Sequence, residues 1–169
     1  MQKSIKFKKN LIFKRVLFLI MLAITFYAIF KFSSQDGELS SSVSRKVTTF
    51  FVELLSKVKN MDAGLKLHYI TKLEPIVRKL AHFSIYTIVG FSIMGFMCTF
   101  NIRNIFKFII SNFVGIIYAV SDEIHQSFTP GRSPRVLDVC IDSLGVLTGI
   151  FILIFLIILL ESVVDWLKR

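Results

Sequence analysis

Several familiar signatures are missing from this chain. Its two cysteines, Cys98 and Cys140, lie inside apolar runs and share no paired spacing. That excludes a disulfide framework and a compact zinc motif, and both read as buried thiols. Acid is scarce: 11 Asp and Glu stand against 21 Lys and Arg, for a net charge of +10. Yet no basic stripe interleaves with stacking aromatics, so the charge does not point to nucleic acid. The basic residues sit at the ends of apolar runs, where they fit anionic lipid. No Ala-x-Ala-like cleavage site follows the first apolar run, which reads as an uncleaved helix and not a signal peptide.

What the chain has in abundance is apolar surface. Of its 169 residues 54% are hydrophobic and 18 are Phe, and the mean hydropathy is +0.67. A soluble domain of this length has no use for so much. Four apolar runs can be read, at about Leu11–Phe32, Leu80–Phe100, Ile105–Ser121 and Val136–Leu160. A bilayer core takes ~20 residues of helix, so the first, second and fourth are ample and the third is marginal. The expected fold is all-α: one polytopic membrane domain over 1–169, with four transmembrane helices and an amphipathic extracytoplasmic segment. Lys3, Lys6, Lys8, Lys9, Lys14 and Arg15 place the N-terminus in the cytoplasm, and four crossings return Lys168 and Arg169 to the same side. The localisation this implies is a plasma membrane.

Residues 33–75 then lie outside. Val43, Val47, Phe50, Phe51, Leu54, Leu55 and Val58 recur there at helical spacing, with Arg45, Lys46, Glu53 and Lys57 on the other side. This predicts an amphipathic helix, either lying on the membrane surface or packing on the protein's own core. Ser40, Ser41, Ser42 and Ser44 offer N-cap chemistry for its start. A second, weaker helix is expected to end at Pro75.

Alternating direction gathers the unusual polar residues at the outer face. Arg78, Lys79 and His82 open the second span, Asp122, Glu123, His125 and Gln126 close the third, and Arg132, Arg135, Asp138 and Asp142 open the fourth. Ionisable groups at membrane depth are costly and mark function. Arg78, His82 and Tyr86 stack at i+4 steps, as do Asp138 and Asp142, with Gly145 and Gly149 continuing that face in a GxxxG pattern. Ser133-Pro134 fits an N-cap with proline in the first turn, which would put Asp142 roughly 12 Å down the helix. Thr129-Pro130-Gly131-Arg132 is turn chemistry that presents Arg132, suited to bidentate phosphate or carboxylate, over the cluster. Two histidines are more than a structural ion network needs, since their value is proton transfer or metal binding. The inner halves of the spans carry little polarity beyond Ser111 and Asn112, so no transport pathway is evident.

Arg78-Lys79-x-Ala81-His82-Phe83-x-x-Tyr86 with Gly90 beyond resembles the first signature of the VanZ-like family of bacterial membrane proteins. Tyr118-Ala119-x-x-Asp122-Glu123-x-His125-Gln126-x-Phe128-x-Pro130-Gly131-Arg132, followed by Asp138, Asp142, Gly145 and Gly149, resembles the second. Phe32-Ser33-Ser34-Gln35 is similar to the motif after the family's first helix. The resemblance spans nearly the whole chain and makes the plasma membrane a bacterial one. It implies a link to teicoplanin resistance and a remote relationship to membrane enzymes of lipid head groups, including phosphatidylserine synthase-like proteins. His82, Asp122, Glu123, His125, Asp138 and Asp142 would then be the active-site set.

The expected function follows from the same groups. Arg78, Lys79 and Arg132, with Tyr86 and Gln126, would bind the phosphate head group of a membrane lipid or a lipid-linked envelope precursor. A histidine would serve as general base or nucleophile, oriented by a carboxylate. The acidic oxygens suit a divalent cation, although the spacing specifies no metal. Hydrolysis and head-group transfer are equally compatible with this set. A non-enzymatic module that binds a lipid or glycopeptide and alters its presentation at the cell surface is the alternative.

Overall fold

The computed structural model describes the backbone of residues 2–168 and the side chains of 9–57 and 59–168. The side chains of Lys3, Lys6, Lys8 and Val58, and all of Arg169, lie outside the described residues. Five helices follow one another: α1 (Gln2–Ser33), α2 (Gly37–Lys59), α3 (Ala63–Met97), α4 (Asn104–Ser127) and α5 (Val136–Leu167). Four of them, α1 from Lys9 onward, α3, α4 and α5, are long and apolar enough to cross a membrane. The chain is therefore an all-α polytopic membrane protein. The third span is not marginal after all. Its helix continues to Ser127, and 24 residues give a rod of about 36 Å.

The centre is the seam between α3 and α5. Tyr86, Val89, Val146 and Ile150 are fully buried there, joined by Ala119 of α4. Small residues set the spacing. A Cβ on Gly90 would strike the Val146 carbonyl, and one on Gly149 would strike the Thr87 carbonyl. A Cβ on Gly145 would meet the Phe83 carbonyl at 2.5 Å. Backbones therefore touch directly, as small-residue seams allow in lipid. Around this centre, α1 and α4 turn Ile12, Phe13, Ile20, Ile24, Ile109, Phe113 and Ile117 outward. An apolar surface that broad requires hydrocarbon around it. Cys140 is exposed on α5 and Cys98 is half-buried. The expectation of buried thiols fails because an apolar run in a membrane helix does not say which face meets lipid.

The segment between α1 and α3 departs from the sequence reading in two ways. First, α2 starts before the serine cluster, at Gly37. Asp36 is its N-cap, with Oδ1 accepting from Leu39 N at 2.8 Å. Asp is as good a cap as Ser, and Gly37 N donates to the Pro130 carbonyl at 3.0 Å, which anchors the start there. Second, no helix ends at Pro75. Asp62 caps α3, accepting from Leu65 N at 2.7 Å, and the helix runs through Pro75 to Met97. Proline removes one helical hydrogen bond, but Pro75 is exposed, and Arg78, three residues on, ties the helix to Ser41 of α2. A buried stripe of Thr48, Val52 and Ser56 seats α2 on the bundle, while Val47, Phe50, Phe51, Leu54 and Leu55 point away from it and Val43 sits half-exposed at the edge. The helix thus packs on the protein's own core by one stripe and leaves an apolar face uncovered, which combines the two readings of it.

Candidate functional site

The start of α5 is also shifted. Arg135, not Ser133, is its N-cap, and its side chain makes no capping bond. A carboxylate from another helix takes over: Glu123 Oε1 accepts from Arg135 N at 2.6 Å. A negative group at a helix N-terminus is favourable there, so Glu123 of α4 fixes where α5 begins.

The preceding turn forms as its sequence requires. Gly131 has φ 73°, and Arg132 N donates to the Thr129 carbonyl at 3.2 Å. Arg132 does not hang free over the cluster. Its Nε donates to the Gln35 carbonyl at 3.0 Å, Nη2 to the Phe32 carbonyl at 2.8 Å and Nη1 to Gln126 Oε1 at 2.8 Å. It thus cements the C-terminal end of α1, where carbonyls want a cation. Burial, and then the like charge of Arg78, lowers its pKa.

Gln126 carries the network inward. Its Nε2 donates to Asp122 Oδ2 at 3.0 Å and to Ser33 Oγ at 3.3 Å. Tyr86 OH donates to the same Asp122 oxygen at 3.2 Å. Asp122 is buried, and so is Asp142, whose side chain is 2% exposed. His82 Nδ1 stands 3.7 Å from Asp142 Oδ1, too far for a hydrogen bond. Asp142 Oδ1 has no hydrogen-bond partner among the described residues. Lys79 Nζ lies 3.1 Å from Asp138 Oδ1, an ion pair whose angle falls short of a hydrogen bond. Arg78 Nη2 reaches Ser41 Oγ at 2.7 Å and Glu74 Oε1 at 3.2 Å, leaving its buried Nε unpartnered.

These groups surround a cavity of about 310 Å³. Of the residues singled out in the sequence, Arg78, Lys79, His82, Glu123, Gln126, Arg132, Asp138 and Asp142 line it. Asp122 and Tyr86 stand behind that lining and hold it. His125 is set apart. It stacks on Phe30 with centroids 4.9 Å apart, and its Nε2 is 3.1 Å from Ser34 Oγ, on the side of α4 that meets α1. Arg135 and Ser133 line the cavity although neither was among the candidate site residues. Ser33 and Gln35 also enter the network; the Phe-Ser-Ser-Gln motif after the first helix is the sequence signal that marks them.

A second cavity of about 200 Å³ adjoins the first. It lies between α1, α2 and α3, with Ile29, Phe32, Val43 and Ile85 among its walls. It shares Arg78 and His82 with the polar cavity.

The family model described as VanZ/LLP1 matches residues 18–159. The chain belongs to the VanZ/LLP1 family. The match takes in α1 from Phe18, all of α2, α3 and α4, and α5 as far as Leu159, and so every residue of both cavities. No curated protein and no solved structure matches the chain.

Proposed function

We propose that this cell-envelope membrane protein acts on an amphiphile with a phosphate-bearing head group, a phospholipid or a lipid-linked envelope precursor, at the outer face of the plasma membrane. The observation that carries this reading is the pair of cavities, one ionic and one apolar, that meet at Arg78 and His82. A head group in the first and the start of a hydrocarbon chain in the second would put the head-group linkage beside His82. Arg78 offers a buried, unpartnered Nε to an anion, and a guanidinium suits phosphate. Lys79 and Arg132 add positive charge, although both already hold protein partners. His82 would act as general base, with Asp142 close enough to orient its ring once a ligand draws the two together, and Asp138 and Glu123 completing the polar wall. Gln126 and Tyr86 position Asp122. The basic flank of α1 supports a cytoplasmic N-terminus and hence an outward-facing site.

Purified protein in lipid, given labelled glycerophospholipid and polyprenyl phosphate substrates, tests this. Turnover that disappears in His82→Gln supports an enzyme. Saturable binding without product favours the second reading, a non-enzymatic module that alters what the cell surface presents. The 3.7 Å gap between His82 and Asp142 is the observation behind that module, because no hydrogen bond orients the ring at that distance. Failure of either lipid to bind or react would refute both. Glycopeptide susceptibility of cells is the matching physiological readout, given the family's association with teicoplanin resistance.

A further inference from the structure

We propose that His82, Asp122 and Asp142 bind one divalent transition-metal ion, manganese or zinc in preference to magnesium or calcium, at the floor of the polar cavity. One ligand atom from each of the three lies within 4.8 Å of the other two. Two ligands held ~2.1 Å from a common ion sit about 3 to 4 Å apart, so a small inward movement of side chains closes the site. The 3.7 Å between His82 Nδ1 and Asp142 Oδ1 already falls in that interval.

A second observation is independent of the grouping. Asp142 Oδ1 is fully buried with no hydrogen-bond partner among the described residues, and Asp142 lines the cavity. An orphaned carboxylate oxygen in that setting is expensive unless a cation meets it. An ion would satisfy it at a distance where His82 cannot.

The support around the ligands is also that of a metal site. Tyr86 and Gln126 both donate to Asp122 Oδ2. Its other oxygen takes no hydrogen bond among the described residues. Partners of this kind orient ligands and tune affinity. One imidazole with two carboxylates is a mixed set. Imidazole favours zinc over magnesium and calcium, and the carboxylates suit manganese. Three protein ligands leave a coordination position open toward the cavity, where Arg78 stands. In the role this gives the ion, polarising a phosphoryl oxygen, the inference rests on the lipid-phosphate reading above, with His82 as a ligand in place of the general base; the binding itself does not rest on it.

The test uses the full chain, purified in detergent and stripped with chelator, titrated with Mn²⁺, Zn²⁺, Mg²⁺ and Ca²⁺ by calorimetry, with Mn²⁺ also followed by electron paramagnetic resonance. Saturable uptake of one Mn²⁺ or Zn²⁺ per chain is expected, at least about 10-fold tighter than Mg²⁺ or Ca²⁺. Asp122→Asn and His82→Gln should each abolish it. Tyr86→Phe, which keeps the ring in the core, should weaken it by about 10-fold to 100-fold. The second variant set matters because Asp122→Asn also disturbs a buried network, and Tyr86→Phe alone still decides the matter if that protein does not fold. Absence of saturable uptake, preference for Mg²⁺ or Ca²⁺, or folded variants that bind as the parent does would each overturn the proposal. No lipid substrate enters this titration. Metal uptake without head-group binding would therefore sink the lipid reading and leave the metal site standing, and the reverse result would do the opposite.

Discussion

Asp142→Asn, measured in chelator, separates a group placed for function from one placed for stability. At 3.7 Å the attraction between a protonated His82 and Asp142 is ~4 kcal/mol at an effective dielectric constant near 20. Against it stands a desolvation cost of several kcal/mol for each buried ion, and Asp142 is 1% exposed. No hydrogen bond adds to the pair. When its partner is removed His82 can shed its proton, which a lysine or arginine there could not do cheaply. The two terms therefore nearly cancel, and the variant should stay within about 1 kcal/mol of the parent. For a chain of this size that is a change of only ~2–4 °C in the unfolding midpoint. Activity on lipid phosphate, or metal uptake, should vanish in the variant, and persist in the parent, once the chelator has been removed from the same preparations. Thermal unfolding in detergent beside the lipid and metal assays reads both. Breaking a structural buried pair costs about 3–5 kcal/mol. A midpoint lowered by roughly 6 °C or more, with function merely scaled to the folded fraction, would show that Asp142 is a structural ion partner and that the balance drawn here is wrong.

Gly149→Ala should destabilise by about 1–3 kcal/mol, because its Cβ meets the Thr87 backbone. Gly64→Ala, where the nearest atom is Asp62 Oδ1 at 3.4 Å, is the control and should be neutral or slightly stabilising in the same melts. His125→Gln should keep most lipid-directed activity while His82→Gln loses it, since only His82 borders the cavities; equal loss in both, at equal stability, would return His125 to the reacting set. Ser127→Cys should be labelled by an impermeant thiol reagent on intact cells, and labelling only after membrane disruption would reverse the proposed orientation.

Much of this arrangement is legible in the sequence for simple reasons. Span length and alternating direction bring the start of one helix, the end of the next and the start of a third to one face, whatever the details of packing. The turn at Thr129–Arg132 is legible because only a few residue types fit positive φ. The facing of α4 is not. Successive residues turn by ~100°, so Asp122, Glu123 and Gln126 share a sector and His125 falls outside it. Which sector meets α5 and which meets α1 depends on tertiary packing that no local pattern encodes. Arg132 shows the same limit. Its chemistry announces an anion site, yet two of its three side-chain hydrogen bonds go to carbonyls about a hundred residues away. Pro75 misleads because a breaker acts through local backbone energy, while the helix through it is held by contacts with other segments. The start of α5 misleads because its capping group comes from Glu123, 12 positions earlier in the chain.

The backbone contacts along the α3–α5 seam bear on how the site tolerates error. Phe83 follows His82, and its carbonyl meets Gly145, one turn beyond Asp142. The nearest atoms there are the Phe83 backbone and the Cβ of Tyr86, none of which can absorb a misfit by changing rotamer. The distance between His82 and Asp142 is therefore inherited from the meshing of two rigid rods, as the spacing of gear teeth is inherited from their axles. A slip of one residue along either rod would swing its site residue through ~100° and out of the cavity. The glycines are thus alignment parts as well as packing parts: at Gly90, Gly145 and Gly149 a single added methyl group would be felt at the polar cavity.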